Sequence, residues 1–253
     1  MEKSAICNLS VVPLRKEPSD KSEMVNQIIL GEIVFIVDEN EKWFMVRLHH
    51  DDYEGWVDKK QIKILDKLPD APTAIARQVI STGMDSAKCP VYIPAGALMH
   101  QFDGTSFSCG SEKITLSSAQ ELITSEIEQV SKSFLKVPYL WGGRTVFGMD
   151  CSGFTQIVFR LMGQMIKRDA WQQAESGEVV AFVEECITGD LAFFDNAEGR
   201  ITHVGIVLVD DQHSTRIIHC SGEVRIDAFD HQGIYNESTG LYTHNLRLIK
   251  RVF

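Results

Sequence analysis

The sequence is short of positive charge and of long apolar runs, and each shortage excludes a class of protein. Lys and Arg number 25 against 35 Asp and Glu, which gives a formal net charge of −10 over 253 residues. Nucleic-acid backbones are usually bound by a basic patch, so this balance argues against such a partner. No apolar run approaches the ~20 residues that a membrane-spanning helix needs. We therefore expect neither a nucleic-acid partner nor a membrane partner.

The amino end also lacks the features of a secretory leader. MEKSAICNLSVVPLRKEP has no basic segment followed by an apolar core. We therefore expect a cytoplasmic protein, or a periplasmic or extracellular one if a leader has been removed.

The cysteines are not arranged as a disulfide framework or as a zinc site. No two of the six stand at CxxC spacing, and the chain is long for a disulfide scaffold. We expect buried, inert thiols, with any reactive one marked by its surroundings, and we expect no metal and no other cofactor. The six are Cys7, Cys89, Cys109, Cys151, Cys186 and Cys220.

Residues 1–68 are typical of a small β-barrel. VFIVDE (34–39), WFMVRL (43–48) and YEGWVD (53–58) are rich in β-branched and aromatic residues, with polar turns between them. DKLPDAPT (66–73) carries two prolines and no periodicity, which is typical of a linker.

Residues 69–116 carry weaker strand signals. VYIP (91–94), ALMHQF (97–102) and KITL (113–116) are separated by glycines. We interpret this stretch as a partial second barrel or a structured connection.

Residues 117–253 begin with helical patterns. SSAQELITSEIEQVSKSFLK has apolar residues in a helical stripe, and Ser118 with Glu121 forms a capping-box pattern at its start. A glycine-rich turn at 138–150 precedes a second helical pattern from Cys151 to Met162. The apolar stripe consists of Ile123, Ile127, Val130 and Phe134.

Strand patterns follow these helices. They are LAFFD (191–195), HVGIVLV (203–209), TRIIHCS (215–221) and LRLIKRVF (246–253). Helices followed by a run of strands predict an α+β domain, with the helices packed on an antiparallel sheet.

Cys151 has the most unusual setting of the six cysteines. It lies in GMDCSGF, after a glycine-bearing loop and in the predicted first turn of a helix. Unpaired N–H groups and the positive end of the helix dipole favour a thiolate there and can receive an oxyanion. The alternative is a small buried cysteine that packs against the sheet.

Two histidines are suited to act as the base for this thiol and as the residue that orients the base. His203 begins one strand, where we expect its ring at the sheet edge, and His219 lies near the end of the next. If the strands form a hairpin, His219 can hold the His203 ring through its second nitrogen. The remaining histidines fall in loops or outside these two strands, and we interpret them as surface or strand-end residues: His49, His50, His100, His213, His231 and His244.

Four ordered blocks within residues 117–253 resemble the NlpC-type cell-wall cysteine peptidases, a papain-like bacterial family. They are WGGRTVFGMDCSGF (141–154), GDLAFF (189–194), HVGIVL (203–208) and IIHCSG (217–222). The resemblance implies Cys151 as the nucleophile, His203 as the general base and acid, and His219 as the residue that orients His203.

Residues 12–57 are similar to the bacterial SH3-like barrels that often precede these peptidases. The whole arrangement resembles the γ-D-glutamyl-L-diamino acid endopeptidases of murein recycling, which act on peptides with a free amino-terminal L-Ala. The resemblance implies that Glu23 and Tyr53 meet the ligand's ammonium. It also implies that the D-Glu portion is contacted by Tyr139, Asp150 and Ser152.

Each of these binding residues also has a plain structural interpretation. Glu23 can be a solvated surface charge, Tyr53 can belong to the barrel core, and Asp150 can be a helix cap. A free α-amine is a compact cation, so a carboxylate and a phenolic oxygen suit it chemically.

We therefore expect one or two all-β SH3-like barrels, then an α+β papain-like peptidase domain with an antiparallel sheet. The expected boundaries are 1–68 for the barrel, 69–116 for the partial barrel or linker, and 117–253 for the peptidase. The expected activity is hydrolysis of the γ-D-glutamyl–diamino acid bond in short peptidoglycan peptides by a monomeric enzyme.

Other functions stay open at this point. The fold is compatible with a non-catalytic wall-binding protein, which the intact Cys151, His203 and His219 disfavour, and with a papain-like amidase or acyltransferase. A metal site that combined His203, His219 and Cys220 is disfavoured, because adjacent strand residues point to opposite faces.

Overall fold

The computed structural model describes residues 3–119 and 126–252. The chain divides into two compact units: residues 1–123 with 141–146, and residues 124–140 with 147–253. The segment that precedes the Cys151 helix therefore includes six residues that belong to the first unit.

The first sheet of the first unit is seven-stranded, with the order β3-β2-β6-β5-β4-β1-β7. A short 3₁₀ turn, Lys59–Gln61, precedes the last strand. The predicted strands at 34–39, 43–48 and 53–58 all form. The strands are β1 (Ser4–Ile6), β2 (Val11–Arg15), β3 (Met24–Ile29), β4 (Ile33–Glu39), β5 (Trp43–Leu48), β6 (Glu54–Asp58) and β7 (Lys63–Leu65).

This sheet forms because apolar residues alternate along its strands. In β5, Phe44, Val46 and Leu48 are buried, with half-buried residues between them. They join apolar side chains from the other strands in one buried cluster, against which Tyr53 packs. The interpretation of Tyr53 as a barrel-packing residue therefore describes its position.

Residues 74–116 form a second group of strands. Four make a sheet in the order β10-β9-β13-β12, and β8 pairs with β11. Their core includes Phe107 and Ile114, and the same cluster contains Ile6 of the first sheet and Leu30 in the turn after β3. The predicted boundary at 68/69 stays a prediction. The strands are β8 (Ala74–Ile75), β9 (Ile80–Met84), β10 (Pro90–Pro94), β11 (Leu98–Met99), β12 (Ser106–Cys109) and β13 (Glu112–Leu116), and β14 (Arg144–Thr145) completes the unit.

Over its described residues, the second unit combines three short helices with an antiparallel sheet in the order β16-β22-β17-β18-β19-β20-β21. A further pairing of β21 with β22 joins the two sides of this sheet. The elements are α1 (Ile127–Lys132), β15 (Gly148–Met149), α2 (Cys151–Leu161), α3 (Ala170–Gln173), β16 (Glu178–Val180), a 3₁₀ turn (Val183–Glu185), β17 (Leu191–Asp195), β18 (Ile201–Val209), β19 (Thr215–Ser221), β20 (Glu223–Asp230), β21 (Gly233–Asn236) and β22 (Leu241–Arg251).

The helix α2 is buried along its whole length. It packs on β18 and β19, so its first residue is presented to the strands that carry the two candidate histidines. A β-rich unit followed by an α+β unit confirms the predicted fold class.

Two predicted elements, a helix and a strand, have different limits in the structure. The helix predicted from Ser118 is described only over α1; Ser118 itself is not helical, and Ile123 and Glu121 of the predicted stripe and capping box lie outside the described residues. The predicted strand at 246–253 begins earlier, at Leu241, because β21 supplies it with a hydrogen-bonding partner. The strands β20 and β21 were not predicted.

Within residues 3–119 and 126–252, no helix is both long enough and apolar enough to cross a membrane.

Candidate active site

Cys151 is the first residue of α2, as predicted, and its side chain is buried. Asp150 caps the helix: its backbone is extended, and its carboxylate accepts a hydrogen bond from the Gly153 N–H at 2.7 Å. The Cys151 thiol donates to the carbonyl oxygen of Thr202, with Sγ and O 3.9 Å apart. Since Thr202 precedes His203, the sulfur lies beside the strand that carries the candidate base.

His203 and His219 lie on neighbouring strands and are hydrogen-bonded to each other. Nε2 of His203 is 2.8 Å from Nδ1 of His219, and the rings are nearly perpendicular. Gly205 stands opposite His219 in the ladder, and a Cβ there would lie 2.9 Å from the His219 Cβ. The glycine in HVGIVLV therefore leaves room for the orienting histidine.

The expectation that His203 stands at a sheet edge is wrong. It is the third residue of β18, a strand flanked on both sides, and its ring is buried. Phe194 lies opposite it on β17, with ring centroids 5.8 Å apart.

Asp227 extends this pair and was not singled out from the sequence. Its Oδ2 lies 2.9 Å from Nε2 of His219, and its Oδ1 accepts from Arg225 at 2.7 Å. Burial alone would raise the pKa of Asp227, but the hydrogen bonds from His219 and Arg225 lower it below the usual range. The Ser221–Gly222 turn is the signal that could have identified it, because a tight hairpin there pairs His219 with Arg225 and places Asp227 one diagonal step away.

His244 also borders the site, although we expected a surface or strand-end residue there. Its ring stacks on His203, with centroids 4.2 Å apart and planes 28° from parallel. It reaches this position because β22 begins at Leu241 and pairs with both β17 and β21. Its own sequence neighbourhood offers no signal for this role.

Burial opposes charge on both members of the candidate catalytic pair. It raises the pKa of Cys151 to about 12, with the Asp150 carboxylate adding to the rise and N–H groups of Val204 and Ser152 opposing it. Burial, then the His219 and His244 rings, lowers the pKa of His203 well below 6.5. The helix N-terminus was expected to favour the thiolate, but desolvation outweighs it. Both shifts favour a thiol on Cys151 and a neutral imidazole on His203.

Asp150 and Ser152 are held by a buried arginine that sequence reasoning missed. Arg168 donates through Nη1 and Nη2 to the two Asp150 oxygens at 2.9 and 2.6 Å, and through Nη1 to the Ser152 hydroxyl at 2.9 Å. The planar guanidinium fixes both side chains beside Cys151. No residue pattern around Arg168 indicates this contact in advance.

Tyr139 forms an isolated parallel β-bridge with Met149. Met149 lies two residues before the candidate nucleophile. Its N–H donates to the Gly222 carbonyl at 2.8 Å, which fixes its backbone. Burial first, and then the nearby Cys151 and Asp150, raises the pKa of the phenol, so Tyr139 stays a hydrogen-bond donor at neutral pH.

Glu23 lies in the first unit beside a tryptophan of the WGGR segment. Its Oε1 accepts from the Trp141 indole N–H at 2.8 Å, and its Oε2 is 3.5 Å from Lys16 Nζ. Its side chain is 41% exposed, so a carboxylate with several acceptor positions is still open to a ligand.

The same segment is held in the first unit by a buried ion pair. Arg144 and Glu32 are both fully buried and bonded to each other. Arg144 also donates through its backbone N–H to the Gln27 side chain at 2.9 Å and through Nε to the Gln27 carbonyl at 2.8 Å. His50 borders the pair, with its Nδ1 3.5 Å from Glu32 Oε1.

Comparison with known families gives two matches, one in each part of the chain. The model described as the NlpC/P60 family matches residues 136–243, which contain Cys151, His203 and His219. The model described as the bacterial dipeptidyl-peptidase Sh3 domain matches residues 14–62.

Individual proteins agree with these matches. A gamma-D-glutamyl-L-lysine dipeptidyl-peptidase of Bacillus cereus is 29% identical over 237 residues, or 78% of this chain and 69% of the relative. The protein of the same name from Bacillus subtilis is 30% identical over 201 residues, or 71% and 68%. A crystal structure of an NlpC/P60 family protein from Bacillus cereus shares the fold, with a TM-score of 0.77 at 20% identity over 98% and 99% of the two chains. The chain therefore belongs to the NlpC/P60 family of cysteine peptidases, with an SH3-like domain ahead of the peptidase domain.

Proposed function

We propose that this protein hydrolyses the γ-D-glutamyl–diamino acid bond of short peptidoglycan peptides that have a free amino-terminal L-Ala. The observation that carries the proposal is the hydrogen-bonded His203–His219 pair on the strands that pack against the Cys151 helix. Two relatives whose names specify gamma-D-glutamyl-L-lysine dipeptidyl-peptidases support the choice of bond.

In the proposed reaction, Cys151 passes its proton to His203 as Sγ attacks the γ-carbonyl carbon. Because burial leaves a thiol and a neutral imidazole at rest, proton transfer accompanies the attack. The Cys151 N–H and a neighbouring donor hold the oxyanion that forms.

Collapse of this intermediate breaks the C–N bond, and the His203 imidazolium gives its proton to the departing amine. The product is a thioester between Sγ and the γ-glutamyl carbon. His203 then takes a proton from water, the hydroxide attacks the thioester, and the proton returns to sulfur. Thiol and neutral histidine are thereby restored.

The D-Glu portion is proposed to contact Tyr139, Asp150 and Ser152. The Arg168 guanidinium balances the charge of the Asp150 carboxylate and orients the Ser152 hydroxyl. Tyr139 supplies a protonated phenol. These groups suit the α-carboxylate and amide of a D-Glu residue better than an apolar side chain.

Glu23 and Tyr53 are proposed to receive the ammonium of L-Ala. The partly exposed Glu23 carboxylate is the attractive element, and the proposal predicts discrimination against peptides whose amine is acylated. Loss of a hydrogen bond to a charged group costs roughly 1.5–3 kcal/mol, so kcat/KM should fall by about tenfold or more.

The experiment compares L-Ala-γ-D-Glu-diaminopimelate with its N-acetylated form, with products identified by mass. We expect cleavage of the free tripeptide between D-Glu and diaminopimelate, and none by Cys151→Ala. Glu23→Gln should slow cleavage of the free peptide much more than that of the acetylated one. Glu17→Gln removes the same charge from an exposed position nearby and is the matched control.

Two outcomes would contradict the proposal. Equal cleavage of the free and the acetylated peptide would show that the enzyme has no specificity for a free amine. Absence of any turnover, with the chain folded, would favour the non-catalytic wall-binding alternative.

A further inference from the structure

A continuous chain of hydrogen bonds runs behind the candidate base. It begins at His203, passes through His219 at 2.8 Å, and ends on Asp227 at 2.9 Å. All three side chains are buried, with His219 only 1% exposed. Bulk water therefore does not compete for these contacts, and the proton positions are set by the groups themselves.

The carboxylate at the end of this chain fixes every proton along it. Asp227 only accepts, so Nε2 of His219 carries the proton in that bond. Nδ1 of a neutral His219 is then an acceptor, and Nε2 of His203 must donate to it. Nδ1 of His203 is left unprotonated, which is the state that can take a proton from the Cys151 thiol.

We propose that Asp227 is a positioning residue that selects, through His219, the tautomer in which His203 acts as a base. The proposal rests on the proposed function, in which His203 accepts the thiol proton. The effect of Asp227 passes to His203 through the His219 ring.

Arg225 makes this role testable, because it determines how an amide would orient at position 227. Arg225 donates to Oδ1 at 2.7 Å, so in Asp227→Asn the amide oxygen should face Arg225 and the NH₂ should face His219. His219 Nε2 would then accept, Nδ1 would donate, and the proton of His203 would move to Nδ1. The base would be blocked without loss of side-chain volume.

The measurement is kcat/KM on the free tripeptide for four proteins: the parent, Asp227→Asn, Arg225→Ala and the double variant. We expect Asp227→Asn to lose about 100-fold or more, by analogy with the inverted tautomer of a serine-protease triad. Arg225→Ala alone should stay within about threefold of the parent. The kcat/KM of the double variant should be at least about tenfold higher than that of Asp227→Asn, because the amide is then free to turn its oxygen toward His219.

A second measurement reads the tautomer directly. Long-range proton–nitrogen NMR spectra of histidine-labelled protein distinguish a protonated from an unprotonated Nδ1, and the His203 signals are those lost in His203→Gln. We expect an unprotonated Nδ1 in the parent and a protonated one in Asp227→Asn. Asp230→Asn, on the same strand but bonded to Tyr242, should keep the parental spectrum and activity.

These outcomes separate this proposal from the proposed function. Failure of the parent to cleave the tripeptide would overturn the substrate, and the NMR spectra would still decide the role of Asp227. A protonated Nδ1 on His203 in the parent, or a double variant no better than Asp227→Asn, would overturn that role. The parental spectrum is decisive even if Asp227→Asn does not fold.

Discussion

The His244 ring covers one face of the His203 ring at a centroid distance of 4.2 Å. With Phe194 and His219 also in contact with both rings, the candidate base is enclosed by aromatic groups. A histidine in this position is useful only while it is uncharged, because an imidazolium there would oppose protonation of His203 during catalysis.

The enclosure predicts acid sensitivity. Burial first, and then His219, lowers the pKa of His244 to about 4, with Asp227 opposing the shift. Between this value and 6.5 the unfolded chain binds a proton that the folded chain does not, so the free energy of unfolding falls as the pH drops through that window. His244→Phe keeps a flat ring without titration, and its urea midpoint should fall less between pH 7 and pH 5 than that of the parent.

His213→Gln is the control for this measurement, because His213 is exposed in the loop after β18. It should show the parental decline. An equal decline in His244→Phe would mean that His244 does not contribute to the pH dependence.

A second prediction concerns alkylation of the candidate nucleophile. Since burial raises the pKa of Cys151 to about 12, the iodoacetamide rate should increase with pH from 5.5 to 8.5, by about tenfold per unit if thiolate alone reacts. His203→Gln should slow the reaction. Cys89 is exposed, unlike the other five cysteines, and provides an internal standard that this substitution leaves unchanged.

The sequence alone predicts the opposite pH dependence, a thiolate that persists at mildly acidic pH. A rate for Cys151 that is constant from pH 5.5 to 8.5 would show a preformed thiolate–imidazolium pair. It would also show that the His203 charge compensates for the burial of Sγ.

A third prediction tests the space beside His219. Gly205→Ala would place a methyl group 2.7 Å from Ile217 and 2.9 Å from the His219 Cβ, so the strands must shift. Overpacking of this kind costs typically ~1–3 kcal/mol, and the shifted His219 should lower kcat/KM by about tenfold.

Gly83→Ala is the comparison, because its methyl group would likewise lie 2.7 Å from its nearest neighbour, the Thr115 carbonyl oxygen, but in the first unit. It should lower stability without a change in the rate of Cys151 alkylation. Full activity in Gly205→Ala would show that the position of His219 tolerates the added methyl group.

A fourth prediction concerns the buried Arg168–Asp150 pair. Removal of Arg168 leaves the buried Asp150 carboxylate without this countercharge, so Arg168→Ala should lower the free energy of unfolding by about 3–5 kcal/mol in urea titrations. Arg168→Lys should recover only part of this, since one ammonium cannot reproduce a two-point guanidinium contact. The exposed pair of Arg216 with Glu237 at 3.8 Å is the reference, and Arg216→Ala should change stability by less than about 1 kcal/mol.

The elements that the sequence predicts well are those whose signals are local. β17, β18 and β19 are alternating or continuous apolar runs bounded by turns, and α2 begins at an Asp cap followed by its buried apolar side chains. The contact of His203 with His219 follows from the pairing of consecutive strands.

The features that the sequence does not reveal depend on partners distant in the chain. His244 meets His203 because β22 pairs with β17, and Arg168 reaches Asp150 from beyond the end of α2, 18 positions along the chain. The rise in the Cys151 pKa arises from burial, which packing of the whole unit decides. Local pattern contains none of this information.

The location of Arg144 affects how the two parts of this protein can be inherited or recombined. The chain leaves the first unit, returns to it for residues 141–146, and leaves again. A single crossover between residues 119 and 141 would thus separate the codon for Arg144 from the codon for Glu32. The recombinant protein would contain Arg144 but not its carboxylate partner. A foreign barrel preserves this buried pair only if it supplies an acidic group at the corresponding place, so exchange of the barrel is a two-part graft rather than a single cut.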